Sequence, residues 1–485
     1  MTSQKQAALG AFWGTVERAA TQGISFIVVL ILARILGPAN FGLVTLAATI
    51  ALFGQMLLGE TFSQALIQQR HLEPAHSSSL FWVLLGAGTA ATAVVFAAAG
   101  WLAAIFSQPD IEPILRALSP LLLFSAIQAI PNALFRRELD FRALAAASTS
   151  GTFLGGVIGV ALAFLGFGPW SLVANLLVQN AVITAAIWRQ SPFRPQWLYS
   201  HRHLRELWSY GQYTFLLRIA AFTANQGPRI IVGYIFGAAA LGAFSLGLRI
   251  VEITCQLLSL PAANVVIPVV AKIRHDTARL ERAILGATQL AAMVAVPAFV
   301  GLALIAPFAV PFIFGAQWMA SIPIVQILAF YGIVFTCGLI WTSIIGGLGR
   351  PDISLVITSV AAVVSVTVLV LMSRWGVTAA SAAFVVRGYV SLPFLPLLIA
   401  RLTGISAWKQ YRVFGPIALA AIILALAVKG LIVTFGDVLT PIEMTAAAIL
   451  VGAAAYTLAL YLFARPALQL GASLLAHLHP RQKAV

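Results

Sequence analysis

Three arginines stand where the chain is otherwise apolar. Arg18, Arg218 and Arg249 each lie several helical turns from the ends of a long hydrophobic run. A charge near the centre of a bilayer costs at least ~2.5–3.5 kcal/mol, so each must find water, a partner or the membrane surface. Their neighbours give the direction. Gly14, Arg18, Thr21, Gln22 and Ser25 fall on one stripe of a helix, as do Thr214, Arg218, Asn225 and Arg229. Ser245, Arg249, Glu252, Gln256 and Ser259 form the tightest stripe, spaced 4, 3, 4 and 3. A polar stripe on an apolar helix looks into protein or water. A guanidinium placed there holds phosphate or carboxylate oxygens through paired, charge-assisted bonds. The chemistry on offer is anion recognition, with Arg18, Arg218 and Arg249 ranked first and Arg34, Arg229 and Arg387 second. Gln22, Asn225 and Gln256 are the neutral polar companions.

Three acids share these apolar runs: Glu17, Glu60 and Glu252. Burial raises a carboxyl pKa and a nearby arginine lowers it, so such a group can exchange a proton as its surroundings open and close. They are the candidates for ion coupling, Glu252 foremost because it shares a stripe with Arg249. The same two residues are i,i+3 neighbours, and a self-neutralising pair is the competing reading. Arg34, Arg229 and Arg116 lie nearer a membrane face, where a long side chain can snorkel to water. Lys429 reads as an anchor of that kind.

The elements that carry these residues follow from composition. Of 485 residues 61% are hydrophobic and 9% charged, against about 25% charged in a soluble domain. A water-facing surface cannot be built from so little charge, which excludes a soluble enzyme. Apolar runs predict an all-α, polytopic membrane protein with about fourteen spans, beginning near 11–35 and 42–63 and ending near 413–434 and 442–463. Of the 29 Lys and Arg residues, twenty gather at one set of helix ends. By the positive-inside rule this places both termini in the cytoplasm, and it accounts for the net charge of +15 without nucleic acid. The segment from Arg189 to Arg205, with Trp197, Leu198, Leu204 and Trp208, predicts a short interfacial helix.

An internal repeat sets the architecture. Arg34-Ile-Leu-Gly37-Pro-Ala-Asn-Phe-Gly42 corresponds to Tyr234-Ile-Phe-Gly237-Ala-Ala-Ala-Leu-Gly242 at a constant offset of 200, with eleven identities over residues 18–58. Arg18 and Arg218 sit at that same offset. The repeat predicts two pseudo-symmetric six-helix lobes, residues 1–206 and 207–404, around a central cavity, with residues 405–485 adding two spans and a cytoplasmic tail. Gly151, Gly155 and Gly159 read as a ladder for close helix packing. Cys255 and Cys337 read as buried small hydrophobes. The seven histidines fall in loops or the tail, His201 and His203 reading as solvated. No His or Cys motif has metal-ligand spacing and no nucleotide phosphate loop occurs, so no cofactor and no metal are expected.

On several ordered words the chain resembles the Wzx-type lipid-linked oligosaccharide flippases of the multidrug/oligosaccharidyl-lipid/polysaccharide exporter superfamily. These words include Ala33-Arg-Ile-Leu-Gly-Pro-Ala-Asn-Phe-Gly42, Pro131-Asn-Ala-Leu-Phe-Arg-Arg-Glu-Leu-Asp-Phe141 and Gly347-Leu-Gly-Arg-Pro351. The resemblance implies alternating access in the bacterial inner membrane, with an undecaprenyl-diphosphate-linked oligosaccharide repeat unit as cargo for polysaccharide or lipopolysaccharide biosynthesis. It also implies membrane lipid as a partner, with a polysaccharide polymerase or glycosyltransferase as the candidate protein partner. Relatives often carry an acid early in the seventh span, where this chain reads Gly227-Pro-Arg-Ile-Ile-Val-Gly233, so a cation-coupling role is not expected there. The rivals are a multidrug-type cation-coupled exporter of the same fold, which would favour acidic stripes, and a membrane glycosyltransferase or polymerase, which would need larger outer loops.

Overall fold

The computed structural model describes residues 2–59, 66–67, 69, 72–436 and 438–463, with the side chains of residues 2–19 and a few others outside that description. Among the described residues every regular element is helical. Twelve helices among the described residues are long and apolar enough to cross a membrane, and the protein is a multi-pass membrane protein.

The twelve spans found among the described residues are fewer than the fourteen expected, and two of them are unusually long. α1 (Thr2–Gly59) is interrupted at Gly37, with φ 73° and ψ 172°, and α7 (His201–Ile273) at Gly237, with φ 81° and ψ −177°. Their apolar stretches, Ala20–Gly59 and Arg218–Leu258, hold 40 and 41 residues. At about 1.5 Å per residue each is some twice the ~30 Å hydrocarbon thickness, so each has the length of two passes. Left-handed φ strains any residue with a Cβ, which explains why the repeat keeps glycine at both bends.

The chain forms two compact units, Met1–Ser245 and Leu246–Val485. In the first, α1 and the first part of α7 join α2 (Pro74–Ile105), α3 (Ile111–Leu118), α4 (Pro120–Arg137), α5 (Phe141–Phe164) and α6 (Trp170–Gln190). The predicted fourth span is two helices, α3 and α4, parted before Pro120 because proline supplies no N–H to continue the ladder. The two bends of the repeat meet: a Cβ on Gly42 would strike the carbonyl of Ala238, and one on Gly242 the carbonyl of Pro38. The Gly151, Gly155 and Gly159 ladder packs on α6 against Ile183, Gln179, Asn175 and the Ser171 carbonyl.

Between α6 and α7 the expected interfacial helix does not form; residues 191–200 are irregular and α7 begins at His201. Pro192 and Pro195 remove two donors, and α2 takes up the freed backbone groups. Ser78 Oγ accepts from Gln196 N (3.2 Å), Ser79 Oγ accepts from Ser200 N (2.9 Å), and Trp82 Nε1 donates to Gln196 O (2.8 Å). Trp197 stacks on Trp82, ring centroids 4.3 Å apart, while remaining 88% exposed.

The second unit is built on α8 (Thr277–Phe314) and α9 (Ile322–Gly347), followed by α10 (Pro351–Met372), α11 (Val377–Ser391), α12 (Phe394–Thr403), α13 (Ala407–Arg412), α14 (Phe414–Phe435) and α15 (Pro441–Phe463). Ile340, Trp341, Ile344 and Ile345 of α9 pack with Leu280, Ile284 and Val296 of α8. The last two helices pack together against α8, where Tyr456 Oη donates to the Met293 carbonyl at 2.9 Å. Cys255 and Cys337 are both free and buried.

Candidate functional site: a polar cavity in the N-terminal unit

Four helices of the first unit turn polar residues toward one cavity of about 430 Å³. α4 contributes Ser125, Gln128, Asn132 and Arg136, spaced 3, 4 and 4 and hence on one helical face. α7 contributes Arg218, Asn225 and Gln226, with Phe222 as an apolar neighbour; α1 adds Gln55 and Met56, and α6 adds Asn180. Among the described residues no Asp or Glu lines this space. Two guanidinium groups and six carboxamides thus share one cavity, and away from bulk water their electrostatic attraction for an anion is stronger than in it.

The wall is held by its own bonds. Gln128 Nε2 donates to the Asn180 carbonyl (3.2 Å) and to Thr184 Oγ1 (2.6 Å). Gln55 Nε2 donates to the Leu121 carbonyl (3.1 Å), and Ser125 Oγ donates to the Gln55 carbonyl (3.1 Å). Asn225 Nδ2 donates to the Ala221 carbonyl at 2.8 Å. These contacts hold Gln55, Gln128 and Asn225 by their N–H groups; a carboxamide oxygen is an acceptor suited to hydroxyl donors.

The structure brings together only part of the predicted set. Arg218 and Asn225 line the cavity. Gln22 Nε2 is buried without a partner, although Gln22 is not a lining residue. Arg229 is half-buried and donates from Nη1 to Gln226 Oε1; Arg34 is exposed. The side chains of Arg18 and Glu17, and Glu60 altogether, lie outside the described residues.

In the second unit, Arg249 and Glu252 are half-buried and Gln256 is exposed. Glu252 lies within electrostatic reach of Cys255 and Tyr331. Arg387 is engaged by the protein: it donates to Ser365 Oγ and, at 2.8 Å, to Tyr331 Oη, and its guanidinium sits 5.4 Å from the ring centroids of both Tyr331 and Phe384. Such a cation–π and hydroxyl cage keeps a guanidinium inside an apolar bundle without a ligand.

Arg136, Gln55, Ser125, Gln128, Asn132, Asn180 and Gln226 are cavity residues that the sequence alone does not single out. A signal exists in α4, whose 3, 4, 4 spacing repeats the logic of the arginine stripes. His203 also departs from expectation. It is only part-exposed: 19% of its side chain is accessible and its Nε2 lies 3.5 Å from Glu73 Oε2.

Known proteins share both the sequence and this fold. The chain is 31% identical over 326 residues to the succinoglycan biosynthesis transport protein ExoT of Rhizobium meliloti (strain 1021), covering 67% of this chain and 66% of that protein. It is 24% identical over 363 residues to the lipopolysaccharide biosynthesis protein WzxC of Escherichia coli (strain K12), covering 73% of this chain and 72% of that one. Its fold is that of the lipid II flippase MurJ in an inward closed conformation, with TM-score 0.78, 13% identity and coverage of 95% and 99%. An inward-facing multidrug resistance transporter of the MATE family aligns with TM-score 0.65 at 18% identity, covering 79% and 96%. Residues 31–323, more than half of the sequence, match one family model throughout, and the chain belongs to the polysaccharide biosynthesis protein family.

Proposed function

We propose that this protein is a transporter, not an enzyme, that moves an undecaprenyl-diphosphate-linked oligosaccharide from the cytoplasmic to the outer leaflet of the bacterial inner membrane by alternating access, with both termini in the cytoplasm. The observation that carries the reading is the cavity: Arg136 and Arg218 with a carboxamide wall and no carboxylate among the described residues. Guanidinium forks suit a diphosphate, and fixed carboxamide oxygens suit sugar hydroxyls. The family and the names of its relatives support the same class of cargo.

In this reading residues 1–206 and 207–404 are the repeat lobes and residues 405–485 an accessory pair of spans with a tail. Arg18, at the repeat offset from Arg218, joins it in binding the head group, with Arg249 as a further contact. Glu252 is the coupling acid, and a polysaccharide polymerase or glycosyltransferase receives the product. A cation exporter of the same fold would need acidic groups where this cavity presents basic ones.

The test is reconstitution into vesicles with a fluorescent diphosphate-linked oligosaccharide, scoring outer-leaflet exposure by a membrane-impermeant quencher. The proposal expects translocation well above protein-free vesicles and no translocation of lipophilic cations. The reverse pattern overturns it.

A further inference from the structure

The described residues hold one grouping with metal-ligand spacing, and it lies outside the cavity lining: Glu73, His76 and His203, whose ligand atoms all fall within 4.8 Å of one another. Glu73 and His76 also form a reciprocal cap at the start of α2, in which His76 Nδ1 accepts from the Glu73 N–H at 3.2 Å. A cap needs only those two residues. It gives no reason for His203, which comes from the first turn of α7, to place its ring 4.1 Å from that of His76. His203 Nε2 is 3.5 Å from Glu73 Oε2, within ion-pair distance for a protonated ring but longer than a good N–H···O bond of about 2.7–3.2 Å. His203 Nδ1 is buried with no hydrogen-bond partner, and His76 is 3% exposed.

We propose that Glu73, His76 and His203 form a binding site for a divalent transition metal ion of the Zn²⁺ class, tying the start of α7 to the start of α2. Two imidazoles and a carboxylate suit Zn²⁺, Co²⁺ or Ni²⁺ and not Mg²⁺ or Ca²⁺, which take oxygen ligands. One cation serves both rings and the carboxylate at once, with water completing the coordination; His76 then gives up its bond from the Glu73 N–H, ligating through Nδ1 itself or through Nε2 with the ring proton moved to Nδ1. The arrangement is held before the ion arrives. Ser78, Ser79 and Trp82, near the start of α2, hold residues 196–200 that lead into His203.

The experiment uses the full-length protein in detergent, stripped with a chelator and titrated with Zn²⁺ by calorimetry and with Co²⁺ by visible absorption. The expected result is saturable binding that excess Mg²⁺ does not displace. His76→Ala and His203→Ala each weaken it more than about tenfold, while His201→Ala leaves it unchanged. Should His76→Ala fail to fold, loss of the Co²⁺ spectrum in His203→Gln supports the site in its place. Zn²⁺ binding that is absent, or that persists unaltered in His203→Ala and His203→Gln, overturns the site and leaves Glu73 and His76 as a helix cap only.

Discussion

At the residue scale Arg218, which lines the cavity, is on the proposed reading the side chain on which cargo binding depends most. A hydrogen bond to a charged group contributes about 1.5–3 kcal/mol, so Arg218→Ala is expected to weaken transport of the diphosphate-linked cargo by about tenfold to a hundredfold in reconstituted vesicles. Arg218→Lys keeps the charge but loses the planar fork, and its transport should fall between the two. Arg387→Ala tests the contrasting case. Its guanidinium is held by Ser365, Tyr331 and Phe384, so the variant is expected to lower thermal stability while leaving cargo affinity in the folded fraction unchanged. Charge makes Arg218 legible in the sequence, because a cation in an apolar run has few explanations. The neutral wall is not legible by that criterion. Gln128 and Asn180 cost little in a span and announce themselves only through their spacing and the bonds they share across helices. Arg387 is the opposite case: its charge is conspicuous, but the rings around it come from residues 331 and 384, a pairing that linear sequence does not display.

At the scale of elements, glycine positions carry the strongest expectations. The backbones of the two repeat bends approach so closely that Gly42→Ala and Gly242→Ala each place a methyl group against a carbonyl. Overpacking of this kind costs about 1–3 kcal/mol, read as a lowered unfolding temperature in detergent, whereas Gly86→Ala, inside α2 with open space around it, should leave that temperature unlowered or raise it slightly, since alanine is the better helix former. The bends at Gly37 and Gly237 are legible because the repeat keeps both glycines in register. The linker at 191–200 misleads because its aromatic residues suggest an amphipathic helix, while Pro192 and Pro195 forbid one. At the start of α10, Arg350 grips Asp352 with Nε and Nη2, at 2.8 Å for the shortest contact. That hydrogen-bonded fork holds the Asp352 carboxyl below the usual carboxylate range. A depressed carboxyl pKa stabilises the fold above its unfolded value and ceases to do so as pH falls through the folded one. Asp352→Asn should therefore cost a little stability at neutral pH, less in high salt, and nothing once the medium is acidic enough to protonate the wild-type carboxyl.

At the scale of the whole molecule, most of the architecture is readable from composition: a chain with 9% charge has to satisfy its backbone inside helices. What composition does not reveal is where the wet space lies, since that depends on which polar faces are turned together. The central claim is that the cavity of the N-terminal unit holds the charged head of the cargo. The most direct measurement is the equilibrium affinity of the purified protein for a polyprenyl-diphosphate oligosaccharide, compared with a variant carrying Arg136→Gln and Arg218→Gln. The expected result is a loss of at least about tenfold, by the same charged-bond arithmetic, with an unchanged unfolding temperature. Equal affinity in the two folded proteins would contradict the claim and move the head-group site elsewhere in the chain.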